Sequence, residues 1–449
     1  MQFQLTDEFI ENIEQLISQK DDKALRDQLN EIHFADIADL LEELKSDEAT
    51  YLIKLLESEL TSEALMELEY DVREKILDRL SPKEIAKELE ELDTDDAADI
   101  VAELDEKIQK KVIEKIKDEE HAADIVELLN YDEDTAGALM AKELVQVKDT
   151  WTVAGCVREM RRQAENVTRV HSIYVTDKEG RLKGRLSLKD LLTVSGTSKI
   201  SDVYIANVDS VNVSTENEEV ARIMQKYDLE AIPVVDDDGI LLGRITIDDI
   251  VDFIKDEAEK DYQLAAGLSQ DVEADDNIWE LTRARLPWLV LGLFGGLGAV
   301  YIMQGFEEAL EKFPVLFFFT PLIAAMAGNV GVQSSAIIVQ GLANDNVKGS
   351  LFKRLIKEVS LALINGVALG LLVIIFGFIV GQNSLVSITI AISMLSVIIV
   401  AALIGTFVPI ILDRRGIDPA IATGPFITTS NDIFGIFLFF YISKTVLGF

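Results

Sequence analysis

Two carboxylate arrangements in this 449-residue chain have the types and spacings that do chemistry. The first is a single acid in oily surroundings. Asp432 closes the segment Thr428-Thr429-Ser430-Asn431-Asp432, near the middle of the last long apolar run, residues 420–446. An ionised carboxylate at the centre of a bilayer costs about 2.5–3.5 kcal/mol on insertion scales, so it must face a partner or a water-filled path. No Lys, Arg or His lies at comparable depth in any apolar run to neutralise it. Asp432 is therefore either a protonated acid hydrogen-bonded to a neighbouring helix or a cation site. A second polar group lies in the apolar run 315–342: Pro321, then Gly328, Asn329, Gly331 and Gln333. Pro and paired glycines can loosen a helix so that backbone carbonyls face a cavity. Small residues alone would read as tight packing; the Asn and Gln beside them favour a pore lining.

The second arrangement is striped. Asp249, Asp252, Asp256 and Glu259 follow one another at spacings of three, four and three, which stacks them on one helix face. Asp96, Asp99 and Glu103 form a similar stack, as do Asp36, Asp39 and Glu43. Like charges so placed destabilise a helix by a few tenths of a kcal/mol, about 0.2–0.5 per pair. Any one stripe reads as a solvated acidic face. Several of them, in a chain that also carries a membrane-depth carboxylate, favour bridging by divalent ions. Hard oxygen ligands without Cys or His partners suit Mg2+ or Ca2+ rather than zinc or copper. The single cysteine, Cys156, allows no internal disulfide, and His33, His121 and His171 have no metal-ligand spacing. No nucleophile–base spacing, phosphate loop or redox motif appears, so an enzyme is not expected.

These residues need elements to hold them, and the charge distribution separates two kinds. The formal net charge is −37, yet residues 286–449 hold eight acids and eight bases, so the whole surplus lies in residues 1–285. A surface this acidic repels nucleic-acid phosphates and anionic lipid headgroups. The neutral part contains five runs long enough to span a bilayer, near 286–304, 315–342, 359–380, 385–412 and 420–446. Arg283 and Arg285 precede the first. Lys348, Lys353, Arg354 and Lys357 fall between the second and third, and Arg414 and Arg415 between the fourth and fifth. The positive-inside rule puts that side in the cytoplasm and the C-terminus outside. The acidic N-terminus, MQFQLTDEFIENIEQL, does not look like a cleaved signal.

Residues 1–130 read as helices, with a drifting phrase at Ala35, Lys83, Ala97 and Ala122 that suggests a solenoid unit near 24–25 residues. Two β-rich stretches, from Ser172 and from Ala231, align at an offset of 59. Each has a strand, an acidic turn ending in Gly, a second strand and a helix opening at Ser187 or Thr246, and each resembles a CBS domain. In CBS domains Thr246 and Asp249 resemble positions that hold an adenosyl ribose, so ATP is a candidate ligand, with no Gly-rich phosphate loop behind it. The expected fold is a multidomain membrane protein: an all-α superhelical domain (1–130), an α/β tandem CBS module (junction and first unit 131–200, second unit 201–245), a connecting helix (246–267) and an α-helical transmembrane domain (268–449).

Together these parts resemble the MgtE family of magnesium channels or transporters over essentially the whole chain. The motifs that carry the resemblance are the acidic repeats, YDEDTAGALM (Tyr131–Met140), the tandem CBS units, QGFE (Gln304–Glu307), GNxGxQ (Gly328–Gln333), DPA (Asp418–Ala420) and Asp432. The resemblance implies a homodimer in the inner membrane with a pore on its two-fold axis, between copies of the second and fifth spans. Asp432 of each subunit would face a hydrated Mg2+ there, with backbone carbonyls near Thr428 assisting and Gly328 and Asn329 at the same pore. Asp418 matches an acidic position near the cytoplasmic end of the fifth span. The resemblance also implies regulatory Mg2+ ions. Asp249 would bridge to Asp95, Asp96 or Asp99, Asp252 and Asp228 would act with Glu216 and Glu218, and Glu257 and Asp261 would serve on the helix that plugs the pore. Lys255 and Lys260 stand where some members carry acids, and Val332 replaces a polar residue of the GNxGxQ motif. Two functions remain open: a Mg2+ channel closed by cytosolic Mg2+, passing other divalent cations as a variant, and a membrane-held nucleotide or metal sensor without transport.

Overall fold

Short polar breaks divide the N-terminal region into helices of 8–13 residues: α1 (Asp7–Gln19), α2 (Asp22–Leu29), α3 (Phe34–Glu43), α4 (Ser46–Leu55), α5 (Ser58–Glu67), α6 (Tyr70–Leu77), α7 (Pro82–Leu89), α8 (Thr94–Glu103), α9 (Glu106–Ile113) and α10 (Glu119–Leu128). The structure, a computed structural model, describes residues 4–163, 170, 172–270, 272, 276–343 and 350–449. His171 and Lys348 lie outside the described residues. The start of α7 shows how local sequence sets a boundary. Ser81 Oγ accepts from the Glu84 amide at 3.3 Å, Glu84 Oε2 accepts from the Ser81 amide at 2.7 Å, and Pro82 occupies the first turn, where its missing N–H costs nothing.

Helices two apart in sequence pack together (α3 on α5, α5 on α7, α7 on α9, α4 on α6, α8 on α10), which winds the region into a superhelix. The apolar positions of the repeated phrase, Ile37, Ile85, Ile100 and Ile125, are all at most 1 % exposed. Arg73 of α6 ties turns together: it donates to Glu103 through Nε at 3.0 Å and to the Met66 and Leu68 carbonyls through Nη1 at 3.1 and 3.0 Å.

The two β units repeat in detail. In the first, β1 (Val145–Lys148) runs parallel to β2 (Ile173–Thr176), which pairs antiparallel with β3 (Leu182–Leu186), and β4 (Ile205–Ala206) adds to β3. In the second, β5 (Val211–Asn212) runs parallel to β6 (Ala231–Val235), which pairs antiparallel with β7 (Leu241–Thr246). Both hairpins break register at equivalent places, Val175/Thr176 and Val234/Val235, and both turns use a positive-φ glycine, Gly180 (φ 91) and Gly239 (φ 79). Helices α11 (Val153–Gln163), α12 (Leu188–Thr193) and α13 (Asn217–Tyr227) pack on the sheets. The helical repeat shares its core with the second β unit, through Ala136, Met140, Met224, Val234 and Ile250, while the first β unit keeps a core of its own around Val147, Cys156 and Ile173. That shared core brings α8 to the start of α14 (Ile247–Ala266).

The chain forms two compact units, Met1–Ile254 and Lys255–Phe449. The second holds α15 (Ile278–Gln304), α16 (Glu307–Lys312), α17 (Val315–Ala343), α18 (Leu351–Ile379), α19 (Ser384–Asp413) and α20 (Pro425–Leu447). Among the described residues five of its helices, all but α16, are long and apolar enough to cross a membrane. The central element is α19, which packs against α17, α18 and α20. Hydropathy misplaces some helix ends. α15 begins at Ile278, where Asn277 Oδ1 accepts from the Trp279 and Glu280 amides at 3.0 and 3.2 Å. Lys353, Arg354 and Lys357 lie in the first turns of α18 rather than in a connecting loop. The fifth run opens as a 3-10 turn, Pro419–Ala422, before α20 starts at Pro425. One expectation is corrected: α17 runs unbroken through Pro321, Gly328 and Gly331, so these residues do not unwind it.

Candidate functional site

The glycines of α17 serve approach rather than unwinding. A Cβ at Gly328 would stand 3.2 Å from Thr428 Cγ2, a tight contact, and 3.5 Å from Asp432 Oδ1, an ordinary one, so the bare backbone eases the approach of Thr428. A Cβ at Gly331 would strike Asn431 Nδ2 at 1.7 Å, and one at Gly405 of α19 would meet the Gly331 carbonyl oxygen at 2.4 Å. This three-helix contact sits one residue from Asp432 in sequence and holds α20 against α17. Asn431 itself is 1 % exposed, and neither polar atom of its amide has a hydrogen-bond partner.

Beside that contact lies a cavity of about 370 Å³. Ala324, Ala325, Gly328, Asn329, Val332 and Gln333 line it from α17, and Thr428 and Asp432 from α20. Residues three and four apart share a helix face, so both sets are single faces turned to one space. The space is large enough to admit water beside the carboxylate. No charged or hydrogen-bonding group among the described residues acts on the Asp432 carboxylate. A carboxylate with no internal partner beside such a space has the charge and the ligand type that would suit a hard cation. Gly328, Asn329, Gln333, Thr428 and Asp432, all singled out from sequence, meet here, while Pro321 and Gly331 are not among the lining residues. Asp418 does not line the cavity; its Oδ1 accepts from the Ala420 amide at 2.8 Å and caps the 3-10 turn.

The first unit gathers a second set of carboxylates. Asp95 and Asp96 occupy the first turn of α8, Asp99 follows one turn on, and Asp249 stands in the first turn of α14. Burial first, then the carboxylates of Asp249, Asp99, Asp93 and Glu63, push Asp96 up to about 8. Asp95 is raised well above the usual carboxylate range by burial, and then by Asp96, Asp249, Asp93 and Glu143. Asp99 keeps more contact with solvent and rises to about 6, through burial and Glu103, with Arg73 opposing. Burial also raises Asp249, against the bonds its Oδ2 accepts from the Thr246 amide (2.8 Å) and hydroxyl (2.7 Å). Burial and mutual repulsion thus favour the protonated forms of these acids.

The remaining acids named from sequence are more open. Glu216, Glu218 and Asp228 lie on and around α13 and are exposed, as is Asp252, one turn along α14 from Asp249. Glu257 pairs with Lys260 at 3.2 Å, and Asp261 lies one turn further along α14. Among the described residues the one group of three or more potential metal ligands drawn together is Asp93, Asp95 and Glu143. Neither Asp93 nor Glu143 stood out from sequence, because their partners are remote: Glu143 Oε2 accepts from the Thr94 amide at 3.1 Å, and Asp93 Oδ2 from Arg244 Nη2 at 2.9 Å. The ribose-type pair Thr246 and Asp249 has a twin in the first β unit, where Ser187 Oγ donates to Asp190 Oδ2 at 2.6 Å.

Comparison with known proteins matches three family models along the chain: the MgtE intracellular N domain over residues 32–134, CBS domains over 136–196 and 200–256, and MgtE, a divalent cation transporter, over 320–442. The magnesium transporter MgtE of Enterococcus faecalis is 38 % identical over 319 residues, covering 71 % of this chain and 70 % of that one. The magnesium transporter MgtE of Thermus thermophilus is 33 % identical over 441 residues, 97 % of this chain and 98 % of that one. Among solved structures, the cytosolic domain of the Mg2+ channel MgtE in complex with ATP aligns with TM-score 0.52 and 34 % identity, covering 54 % of this chain and 99 % of that chain.

Proposed function

The chain belongs to the MgtE family of divalent cation transporters, and from that premise we propose that it imports Mg2+ through the Asp432 cavity and is closed by cytosolic Mg2+. The observation that carries the reading is Asp432, a carboxylate without an internal counter-charge in a cavity of about 370 Å³ between α17 and α20. Mg2+ gives up its waters reluctantly, so a roomy site that meets a hydrated ion with carboxylate and backbone oxygens suits it better than a tight cage. Two subunits, each bringing one Asp432, would set two carboxylates about one ion. Arg283, Arg285, Lys353, Arg354, Lys357, Arg414 and Arg415 favour the cytoplasm for their side of the bundle, with the C-terminal end of α20 outside.

Closure follows from the acids of α8 and α14. Two carboxylates about 4 Å apart repel by ~4 kcal/mol at an effective dielectric of ~20. With little Mg2+ the α8–Asp249 contact must either protonate its carboxylates or bear that repulsion, and with Mg2+ bound the ion replaces both with a bridge. The ion therefore favours the state in which α14 is held, and its concentration sets the population of that state. ATP binding at the CBS module is part of the same proposal. A triphosphate at Thr246 and Asp249 would meet the carboxylates of Asp95 and Asp96, whereas Asp190 of the twin pair lies near Lys189 and Arg185. The first β unit is thus the better nucleotide cleft.

Growth of a host that lacks its own Mg2+ uptake tests the pore. Asp432→Ala, expressed at the wild-type level, is expected to leave growth dependent on high external Mg2+. Growth equal to wild type at low Mg2+ overturns the assignment.

A further inference from the structure

We infer that the end of the second unit where α18 begins and α19 ends binds the headgroup of an anionic phospholipid, through Lys353, Lys357, Arg414 and Arg415. Helices α18 and α19 pack antiparallel: a Cβ at Gly366 would meet Leu395, one at Gly370 Ala391, and one at Gly377 Ser387. Carried on, that register brings the last turn of α19 to the first turn of α18. Lys353 stands in that first turn and Lys357 one turn on, on the same helix face. Arg414 and Arg415 are held on a closed helix end. Gly416 is left-handed (φ 67), its amide donates to the Asp413 carbonyl at 3.0 Å, and the Ile417 amide donates to the Leu412 carbonyl at 3.0 Å.

Among the described residues none of these four bases makes an ion pair, and all four are exposed. By contrast Lys312, before the other end of α17, pairs with Glu308 at 2.8 Å. The acid beside Lys357, Glu358, is turned to α17, where its Oε1 accepts from the buried Ser334 hydroxyl at 2.5 Å. Asp413, exposed beside Arg414, offsets part of the charge and leaves the cluster positive. Two features favour a lipid over a soluble anion. Lys353 and Lys357 are flanked by Phe352 and Ile356, 72 % and 51 % exposed, on a helix long and apolar enough to cross a membrane. Large apolar side chains between lysines suit the level where acyl chains end and headgroups begin. The depth agrees: four residues of helix rise about 6 Å, and a headgroup layer is about 5–7 Å thick on each side of the hydrocarbon. A lipid phosphate at that level meets the four bases, while its acyl chains continue along the exposed apolar face of α18. The site requires only that the second unit sits in a bilayer, whatever ion the chain carries.

The test uses full-length protein, stripped of lipid in a neutral detergent and titrated with phosphatidylglycerol. Native mass spectrometry counts bound lipid, and melting is followed in parallel. Wild type is expected to bind phosphatidylglycerol saturably, to melt higher with it, and to bind phosphatidylcholine no more than background. Each basic residue near a membrane surface is worth about a fivefold change in affinity, so Lys353→Gln with Lys357→Gln should weaken binding roughly 25-fold. Its lipid-free melting point should stay that of wild type. Arg414→Gln with Arg415→Gln is the second variant, with the same expected loss, should the first fail to fold. Lys312→Gln with Lys444→Gln, at the other end of the bundle, is expected to bind like wild type. A folded variant of either basic pair that binds phosphatidylglycerol as wild type does overturns the site. An equal loss in Lys312→Gln with Lys444→Gln also overturns it, since net charge alone would then explain the attraction. Displacement of the lipid by millimolar glycerol 1-phosphate overturns the choice of a lipid and leaves a soluble phosphate ester as the ligand.

Discussion

The acids of α8 make pH a direct probe of single residues. The folded values of Asp96 and Asp99, about 8 and about 6, lie above the ordinary 3.8. Between those values the folded chain holds more protons than the unfolded chain, so stability falls as pH rises. The metal-free protein is expected to be most stable near pH 4 and to lose stability progressively toward pH 8. Millimolar Mg2+ should flatten that slope by taking the place of the protons, with proton release on binding. Thermal melting with and without Mg2+ across this range checks it, and a slope that Mg2+ leaves untouched contradicts the cluster. The i, i+3 and i, i+4 acids, Asp96 with Asp99 and Asp249 with Asp252, were legible in the sequence because helix periodicity is written locally. Glu143, Asp93 and Arg244 were not, since Thr94 and Glu143 are 49 residues apart and Asp93 and Arg244 are 151 apart. Asp418 shows that a local capping role is also written locally, since its acceptor contact lies two residues away at Ala420.

At the scale of elements, glycine sets how closely α17, α19 and α20 meet. A methyl at Gly405 would stand 2.4 Å from a backbone oxygen of α17, so a helix must move to admit it. Gly405→Ala is expected to destabilise the bundle by about 1–3 kcal/mol, the usual cost of overpacking. Gly292→Ala, with no atom within 4 Å of the added carbon, should melt like wild type. Equal melting of the two variants in detergent would remove close packing as the role of Gly405. The β units were the most legible elements: the offset of 59 extends to the register break and the positive-φ glycine, because a repeated sequence repeats its turn chemistry. Helix starts were less so. Hydropathy marks where hydrocarbon must be met, whereas α15 and α18 begin earlier, at the caps Asn277 and Ser350. Asn277 with Glu280 three residues on is a cap signature that would have found the first of these.

At the scale of the whole molecule, the surplus of 37 negative charges belongs entirely to residues 1–285, the part that carries the candidate regulatory acids. The candidate pore residues are few and uncharged apart from Asp432. In the proposed reading the cargo is also the signal: Asp432 would pass the ion, and the carboxylates of the first unit would report how much has accumulated. Helix α14 runs from Ile247 to Ala266, across the boundary at Ile254. The most direct test is Mg2+ flux through the purified protein in liposomes, followed as Mg2+ on the face bearing the N-terminal unit is raised from micromolar to millimolar. The account predicts that wild-type flux falls steeply over that range, that Asp249→Ala continues to conduct at millimolar Mg2+, and that Asp432→Ala conducts at neither concentration. Wild-type flux that does not respond to Mg2+ on that face, or Asp432→Ala flux equal to wild type, would contradict it.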